Sequence, residues 1–454
     1  MIALDSLETS AADVDVVGGG PAGATTAALI AEAGYKEVVF EREVIPRFHV
    51  GESLIPATYW TLQRLGLVEK LKASGFPKKF SVQFVTESGK ETSPFYFDEF
   101  KPHESSQTWQ VWRDDFDQML IECAEQRGAE VVCEAQVTEV VFDEDQVTGV
   151  HVRRAGDQSG ESSRFVPARV VVDASGLSAF LASRMDLKEA DPLLRKATVW
   201  GYFRGAARDE GRDEGATIIL QTEGKRSWFW YIPLPDDIVS VGCTGNLRYM
   251  FPGGGVDLQA LWDREIGRCP AMQRRLVDAV REGPLRSTRD FSYKATKAAG
   301  DGWVLVGDAV GFIDPVYSSG VYLALKSGEM AAEAVVNGLA AGDLSGERLG
   351  AWKESYDKGV MHFHKLVYAF YTPGFSFGGL LREHPECMEH LANILMGNVF
   401  EPGVGALFEA IGDVRPPAEN EPSMVPMSEE AVSYTHLRAH ETEADLVCRL
   451  LLEK

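Results

Sequence analysis

The sequence has little that would point to secretion, disulfide crosslinking or membrane insertion. Only six of its 454 residues are cysteines, and no two have Cys-x-x-Cys spacing, so we expect neither a disulfide framework nor a zinc site. The first residues lack the basic and apolar regions of a signal peptide. No apolar run is long enough to cross a bilayer. We therefore expect a cytoplasmic protein without a membrane span.

Positive charge is also scarce. Lysines and arginines number 45 against 68 aspartates and glutamates, which gives a formal net charge of −23 at pH 7. Such a chain is a poor candidate for binding nucleic acid or an anionic membrane surface. It should also repel an acidic protein partner unless basic residues cluster locally. His362 and His364 are two residues apart, so on a helix they point to different faces and no metal pair is expected.

A glycine-rich turn near the N-terminus is the strongest motif. An apolar strand at 14–17 leads into residues 18–23, which read GGGPAG, and an alanine-rich helix follows. The first glycine makes the tight turn, the second lets a pyrophosphate approach the backbone, and the third lets the helix pack on the sheet. The second strand, at 37–40, ends at an acidic residue that can accept a hydrogen bond from a ribose hydroxyl. We predict a dinucleotide site formed by Gly18, Gly20, Ala22, Gly23, Glu41 and Arg42.

Two further stretches resemble FAD-dependent oxidoreductases of the p-hydroxybenzoate hydroxylase type. A buried strand at 303–306 precedes Gly307-Asp308, and residues 171–184 resemble the strand and turn that close that family's FAD domain. The resemblance covers residues 13–370. It implies that FAD is the cofactor, that Asp308 reaches a ribityl hydroxyl, that Arg113 lies near the flavin, and that the next helix N-terminus, at Gly320, faces the flavin.

A second nucleotide motif is missing. The stretch GVGALF at 403–408 lacks the third glycine, so we expect no dedicated nicotinamide domain. Reducing equivalents would then come from a nicotinamide that visits transiently, or from a separate flavin reductase that supplies reduced FAD.

Three stretches narrow the resemblance to the flavin-dependent halogenases, especially the branch acting on phenols and pyrroles. Residues 228–233 fit W-x-W-x-I-P, residues 312–320 fit F-x-x-P-x-x-S-x-G, and the segment GFPKKFSVQF contains Lys79. This chain has Ser81 where the family tends to have glycine.

The resemblance implies a reaction and a set of roles. Reduced FAD, oxygen and chloride or bromide would yield hypohalous acid, which Lys79 would direct onto an electron-rich aromatic ring. The backbone amides of Ser319 and Gly320, at a helix N-terminus, would hold the halide. Trp228 and Trp230 would form an apolar wall between flavin and substrate, although packing in an ordinary core is the plainer alternative.

The protonation state of Lys79 is left open by the sequence. At the ordinary pKa of about 10.4 it is an ammonium, which would polarise hypohalous acid. Burial, or its neighbour Lys78, would favour a neutral amine, which would form a haloamine. The alternative for both lysines is a solvated surface pair.

The expected fold is α/β, with a Rossmann-like FAD-binding domain, a mixed-sheet substrate domain and a helical C-terminal region. The helix ending before Pro373 is expected to cover the substrate pocket with Tyr368, Phe370 and Tyr371, and ordinary packing of these aromatics is the alternative. The resemblance places Asp290 near the flavin's edge. The FAD domain is predicted to contain residues 1–80, 112–189 and 285–345. The substrate domain is predicted at 81–111 and 190–284, with a helix near 256–281, and the C-terminal region at 346–415. Residues 416–454 are expected to be a disordered tail, in which 432–454 resembles a translated sequencing adapter.

Other functions remain open from the sequence. An FAD-dependent monooxygenase or a geranylgeranyl reductase-like enzyme would share the fold, and "GVYLALKSGE" resembles the reductases as much as the halogenases. A non-catalytic binding protein like the Rab escort proteins is disfavoured by the intact cofactor motifs. The expected substrate is an aromatic small molecule, free or tethered to a carrier protein.

Overall fold

The computed structural model describes Met1, Leu4 and residues 12–157 and 163–417. All but the first two residues of the predicted tail, including the whole of 432–454, lie outside this part of the chain.

The strands of the described residues are β1 (Ala12–Val17), β2 (Glu37–Phe40), β3 (Lys78–Lys79), β4 (Ser81–Val85), β5 (Phe95–Tyr96), β6 (Thr108–Trp109), β7 (Glu130–Val132), β8 (Ala135–Asp143), β9 (Gln146–Arg154), β10 (Arg164–Asp173), β11 (Lys188–Ala190), β12 (Lys196–Arg204), β13 (Thr217–Gln221), β14 (Ser227–Pro233), β15 (Ile238–Asn246), β16 (Val280–Arg289), β17 (Tyr293–Ala295), β18 (Ala299–Gly300), β19 (Trp303–Leu305) and β20 (Gly311–Phe312).

The α-helices are α1 (Pro21–Glu32), α2 (Thr58–Arg64), α3 (Val68–Lys72), α4 (Arg113–Arg127), α5 (Phe180–Arg184), α6 (Leu247–Met250), α7 (Leu258–Gly267), α8 (Pro270–Arg275), α9 (Gly320–Ala341), α10 (Gly346–Leu349), α11 (Lys353–Tyr371), α12 (Phe377–Glu383), α13 (Cys387–Met396) and α14 (Leu407–Ile411).

These elements form two units. Their boundaries differ from the predicted ones. Lys79, predicted in the FAD domain, belongs to the second unit, and α11, predicted within the C-terminal region, is divided between the two units. The first unit contains residues 1–74, 111–190 and 293–358, and the second contains residues 75–110, 191–292 and 359–417.

A parallel sheet organises the first unit. Its strand order is β18-β19-β10-β1-β2-β7, and β19, β10, β1, β2 and β7 run parallel. The hairpin of β8 and β9 continues it through antiparallel pairing with β10. Helix α1 connects β1 to β2 and contacts both α4 and α9. This strand–helix–strand unit is the predicted Rossmann-like fold.

A seven-stranded mixed sheet organises the second unit, in the order β16-β12-β15-β14-β13-β4-β5. Only β13 and β4 pair in parallel; the other neighbours are antiparallel. A separate two-stranded sheet pairs β3 with β6. The C-terminal part of the unit is helical, as predicted, and α11 ends at Tyr371, before Pro373.

The two faces of β14 have different surroundings. Phe229 and Tyr231 belong to a hydrophobic cluster with Trp262 of α7, whose ring lies 5.7 Å from that of Phe229. Trp228 and Trp230 lie on the opposite face, because side chains alternate along a strand. The structure thus has the predicted alternation, and β14 ends at Pro233.

The expectation of a single helix near 256–281 is wrong. The structure has α7 and α8 in its place, and β16 begins at Val280. Proline lacks the amide hydrogen that a continuing helix needs, so Pro270 ends one helix and occupies the first turn of the next.

No helix in the described part of the chain has the length and apolar character that crossing a membrane requires.

Gly242 sets how closely Trp230 can pack on the sheet. A Cβ atom at Gly242 would lie 2.2 Å from a ring carbon of Trp230, so we expect Gly242→Ala to destabilise the protein by about 1–3 kcal/mol through overpacking. Urea unfolding measures this loss. Gly255→Ala is the matched control, because its Cβ would meet no atom within 4 Å. Equal stability of the two variants would show that Trp230 moves at no cost.

Candidate functional site

The glycine-rich turn of the first unit has the geometry that a dinucleotide phosphate needs. Gly18 has φ +104°, which favours glycine, and a Cβ at Gly23 would lie 2.0 Å from the Gly18 carbonyl oxygen. Helix α1 begins after Gly20, and no side chain caps its N-terminus. Its first amides are therefore available to an anion.

Glu41 lies just past the end of β2, where the sequence predicts a ribose acceptor. Its carboxylate accepts hydrogen bonds from the amides of Gly19 at 2.9 Å and Glu43 at 3.0 Å. Arg47 donates to the same carboxylate at 3.3 Å. The neighbouring Arg42 is exposed and its charge lies 3.5 Å from Glu43.

Arg113 makes a buried ion pair. Its guanidinium donates to both carboxylate oxygens of Asp117, at 2.8 and 3.0 Å, and to the Val50 carbonyl oxygen at 2.7 Å. Burial alone would raise the pKa of Asp117, but Arg113 and Arg47 outweigh it and hold that pKa below its ordinary value. Arg113 thus ties α4 to the loop that contains Val50.

Asp308 has the features of a ligand acceptor. It lies in the short 3-10 helix Gly307–Ala309 that follows β19 and contacts α1 and α9. Burial raises the pKa of Asp308 to about 6. No hydrogen bond to its carboxylate comes from any residue that the structure describes, so its oxygens can accept from a ribityl hydroxyl. The turn, Glu41 and Asp308 together fit FAD.

Ser319 and Gly320 lie at the N-terminus of α9, as predicted. Ser318 has φ +55°, and the helix starts at Gly320. Within the described residues, no backbone oxygen accepts from the amides of Ser319 or Gly320. Two adjacent donors at the positive end of a 22-residue helix are suited to a small anion such as a halide.

Lys79, in the second unit, is buried although its neighbour is not. Lys78 is exposed, whereas Lys79 keeps 2% of its surface accessible. Its Nζ lies 5.8 Å from the centroid of the Phe97 ring. Burial lowers the pKa of Lys79 to about 7, so amine and ammonium are both populated near neutral pH. The surface-pair alternative is therefore wrong for Lys79.

Trp228 and Trp230 form a continuous aromatic surface, the tryptophan wall. Their ring centroids are 6.2 Å apart. Trp228 Nε1 donates to the Tyr371 hydroxyl at 2.8 Å, and Trp230 Nε1 donates to Ser240 Oγ at 3.2 Å. Both indole N–H groups are thus satisfied, and both residues are buried, with 2% and 6% of their surfaces exposed, as in the core packing that was the plainer alternative.

The three aromatic residues near the end of α11 contact different partners. Phe370 packs edge-on against Trp228, with centroids 6.1 Å apart, and Tyr371 contacts it through the hydroxyl. Tyr368 instead donates to the Asp191 carboxylate at 3.1 Å, to which His364 also hydrogen-bonds at 2.7 Å. Only two of the three predicted pocket aromatics therefore contact the wall.

Two contacts of the second unit were missed by the sequence analysis. Lys196 Nζ lies 3.8 Å above the ring of Tyr371. The Asp191–His364–Tyr368 cluster joins the segment before β12 to α11. The sequence signal for the first contact was Lys196 itself, a charged residue at the start of the largely apolar strand β12. Asp290, expected near the flavin, makes a bidentate ion pair with Arg195 at 2.5 and 2.7 Å.

Comparison with known proteins identifies the cofactor and the family. Residues 11–196 match a family model described as an FAD binding domain. The chain is 29% identical to a 1H-pyrrole-2-carbonyl-(peptidyl-carrier protein) chlorinase of Pseudomonas fluorescens, over 86% of this chain and 89% of that protein. It is 30% identical to the corresponding brominase of Pseudoalteromonas luteoviolacea, over 86% of this chain and 92% of that protein.

A solved structure agrees with these relatives. The myxobacterial chondrochloren halogenase CndH, described as a variant of FAD-dependent halogenases, superimposes with a TM-score of 0.73 and 32% identity, over 80% of this chain and 83% of that chain. The similarity favours the halogenase interpretation over the monooxygenase, the prenyl reductase and the non-catalytic binding protein. The chain is an FAD-dependent enzyme and belongs to the flavin-dependent halogenase family.

Proposed function

We propose that this protein halogenates an electron-rich aromatic ring and that Lys79 directs the oxidant. The burial of Lys79 beside the exposed Lys78 is the observation that carries the proposal. When bound in the first unit, FAD supplies the electrons with which oxygen and chloride or bromide give hypohalous acid. Gly18, Gly20, Ala22, Gly23, Glu41 and Asp308 are the residues proposed to hold it.

Lys79 acts as a neutral amine in this proposal. Its pKa of about 7 makes the amine abundant at neutral pH, and only the amine has a lone pair for the halogen. As the N–halogen bond forms, the oxygen–halogen bond breaks and its electron pair stays on oxygen. The proton lost by nitrogen completes a water molecule, and the haloamine delivers the halogen to the ring, whose displaced proton restores the amine.

The halide is proposed to bind at the amides of Ser319 and Gly320. A helix N-terminus stabilises an anion without a neighbouring cation. Such a site suits a co-substrate that must leave as part of the oxidant, because its attraction is weaker than that of a buried ion pair.

The tryptophan wall is proposed to separate the organic substrate from the oxidation chemistry. Trp228 and Trp230 offer apolar ring faces, and their N–H groups are already satisfied. Excluding water and substrate from the flavin limits hydroxylation and loss of oxidant. Phe370 and Tyr371, which pack on Trp228, are proposed to line the substrate side.

The substrate class follows from the electrophile and from the relatives. An electrophilic halogen reacts with electron-rich rings such as phenols and pyrroles. Two similar proteins are named for a pyrrole on a peptidyl-carrier protein, which supports a tethered substrate, whereas the charge of −23 disfavours an acidic carrier. A separate flavin reductase is proposed as the source of reduced FAD, since the sequence has one nucleotide motif.

One experiment tests the reaction itself. The protein is incubated with a flavin reductase, NADH, oxygen, bromide or chloride, and phenols and pyrroles offered free and carrier-tethered. Mass spectrometry should show halogen isotope patterns in one class of product. Hydroxylated products without halogen would instead support the monooxygenase. Rapid reduction of the bound FAD by NADH alone would contradict the need for a reductase.

We predict that Lys79→Ala separates oxygen chemistry from halogenation. The variant should still oxidise reduced FAD and consume oxygen, because the FAD-holding residues belong to the other unit. Substrate halogenation should fall by at least about 10²-fold, the contribution typical of one positioned proton-transfer group. Oxygen uptake and product are measured together. Lys78→Ala, the exposed neighbour, should keep most activity; if both variants halogenate at the wild-type rate, Lys79 has no role.

We predict that halogenation rises as the pH increases through about 7. The pKa of Lys79 is lowered to about 7 by burial, so the fraction of neutral amine grows across this range. The assay uses bromide and a ring without an ionisable group, with product normalised to oxygen consumed. A rate that falls over the same range would show that the ammonium form acts.

We predict that Asp308→Ala weakens FAD binding by roughly 10- to 100-fold, the loss of one hydrogen bond to a charged acceptor. Fluorescence titration of the apoprotein with FAD measures the dissociation constant. Wild-type affinity should also weaken as the pH falls below about 6, where the carboxylate becomes protonated. Asp145→Ala, at an exposed aspartate, is the control. Unchanged affinity in Asp308→Ala would remove this residue from the FAD site.

A further inference from the structure

Two polar atoms in the segment that pairs with the strand of Lys79 are buried without a hydrogen-bond partner. They are Thr108 Oγ1 and Gln110 Oε1, and neither is hydrogen-bonded to any residue of the described chain. Both residues are almost fully buried. Leaving a buried polar atom unsatisfied costs stability. Two such atoms on residues two positions apart therefore call for a functional explanation.

The strand register puts both side chains on the same face as Lys79. Lys79 of β3 lies directly opposite Thr108 of β6, and directly opposed residues of an antiparallel pair point their side chains to the same side. Gln110 follows Thr108 by two residues, and its backbone N–H donates to the Pro77 carbonyl oxygen at 3.0 Å. Side chains two residues apart along an extended backbone share a face.

The orientation of Gln110 is fixed by its other end. Its Nε2 donates to the Gly215 carbonyl oxygen at 2.9 Å and to Thr217 Oγ1 at 2.8 Å. Because both partners accept, the amide nitrogen must face them and Oε1 is the atom left over. A Cβ at Gly215 would lie 2.2 Å from the Lys78 carbonyl oxygen, so the 215–217 segment is packed tightly against β3.

We propose that Thr108 and Gln110 form a hypohalous acid site beside Lys79. Hypohalous acid carries one O–H donor and an oxygen acceptor. Gln110 Oε1 can accept only, and so receives the O–H, while the Thr108 hydroxyl donates to the oxygen. The inference rests on the proposed function, because it gives the oxidant a place to bind before Lys79 reacts with it.

The two residues assist a balanced step. The Lys79 nitrogen bonds to the halogen, and the oxygen–halogen bond breaks with its electron pair moving to oxygen. The Thr108 hydroxyl stabilises the charge that develops there, and the proton released by nitrogen converts the leaving oxygen to water. Gln110 Oε1 and Thr108 Oγ1 then hold that water.

Thr108→Val tests the proposal, because it removes the hydroxyl and keeps the shape. The hydroxyl satisfies no protein group, so the thermal unfolding midpoint should stay unchanged or rise. Oxygen consumption and FAD affinity should stay at wild-type values. Halogenated product per oxygen consumed should fall roughly 3- to 10-fold, the value of one neutral hydrogen bond, and hypohalous acid trapped by added taurine should increase correspondingly. Thr108→Ser should restore most of the product.

Thr25→Val is the matched control, since Thr25 Oγ1 is also buried without a partner, in α1 of the first unit. It should leave the product per oxygen unchanged. Wild-type coupling in Thr108→Val would overturn the site, as would a loss of stability together with oxygen consumption, which would show a structural role. If Lys79→Ala also halogenates normally, the proposed function fails; if Lys79→Ala is inactive and Thr108→Val is normal, only the hypohalous acid site fails.

Discussion

Burial of one amine, that of Lys79, is the constraint on which the proposed chemistry of the second unit depends. Removing a lysine from water disfavours its charged form, and here it lowers the pKa to about 7, against about 10.4 in an unfolded chain. Between these values the folded protein binds fewer protons than the unfolded chain. The resulting destabilisation is complete below about pH 7 and lessens as the pH rises towards 10.4. The fold thus gives up stability to keep the Lys79 amine partly neutral near pH 7.

A small number of strand contacts hold that amine in position. Two-residue strands are weak by themselves, and β3 and β6 contain two residues each. They are held by a neighbouring segment, residues 215–217: Gln110, which follows β6, hydrogen-bonds to it, and Gly215 packs tightly against the backbone of Lys78. Asp213, just before that segment, accepts a hydrogen bond from Tyr96 of β5 at 3.0 Å. Ser81, where the family tends to have glycine, lies 3.4 Å from the same carboxylate. This departure from the family pattern is therefore accommodated by a polar contact of this chain.

The features that were predictable from sequence are the ones that depend on neighbouring residues. The Gly18–Gly23 turn, the alternation along β14 and the end of α11 before Pro373 follow from backbone geometry within a few residues. Contacts such as Trp228 with Tyr371, or His364 with Asp191, join residues more than 140 positions apart and leave no local pattern. The break at Pro270 was readable in principle, since proline is favoured in the first turn of a helix. The burial of Lys79 but not of Lys78 depends on the register of β3 with β6, which motif spacing does not contain.

Two lysines are buried among the described residues of the second unit, and their surroundings indicate different tasks. Lys196 Nζ lies 3.8 Å from the Tyr371 ring centre, a distance at which the ring stabilises an ammonium directly. Tyr371 in turn accepts from Trp228, so Lys196 supports the tryptophan wall through Tyr371. Lys79 is 5.8 Å from its aromatic neighbour, near the limit of such attraction, and lies opposite Thr108 in the pairing of β3 with β6. A lysine engaged with an aromatic ring suits a structural ammonium, whereas a buried lysine with a pKa of about 7 suits a group that must lose and regain a proton. We therefore propose Lys79 for the chemistry and Lys196 for the support of the wall.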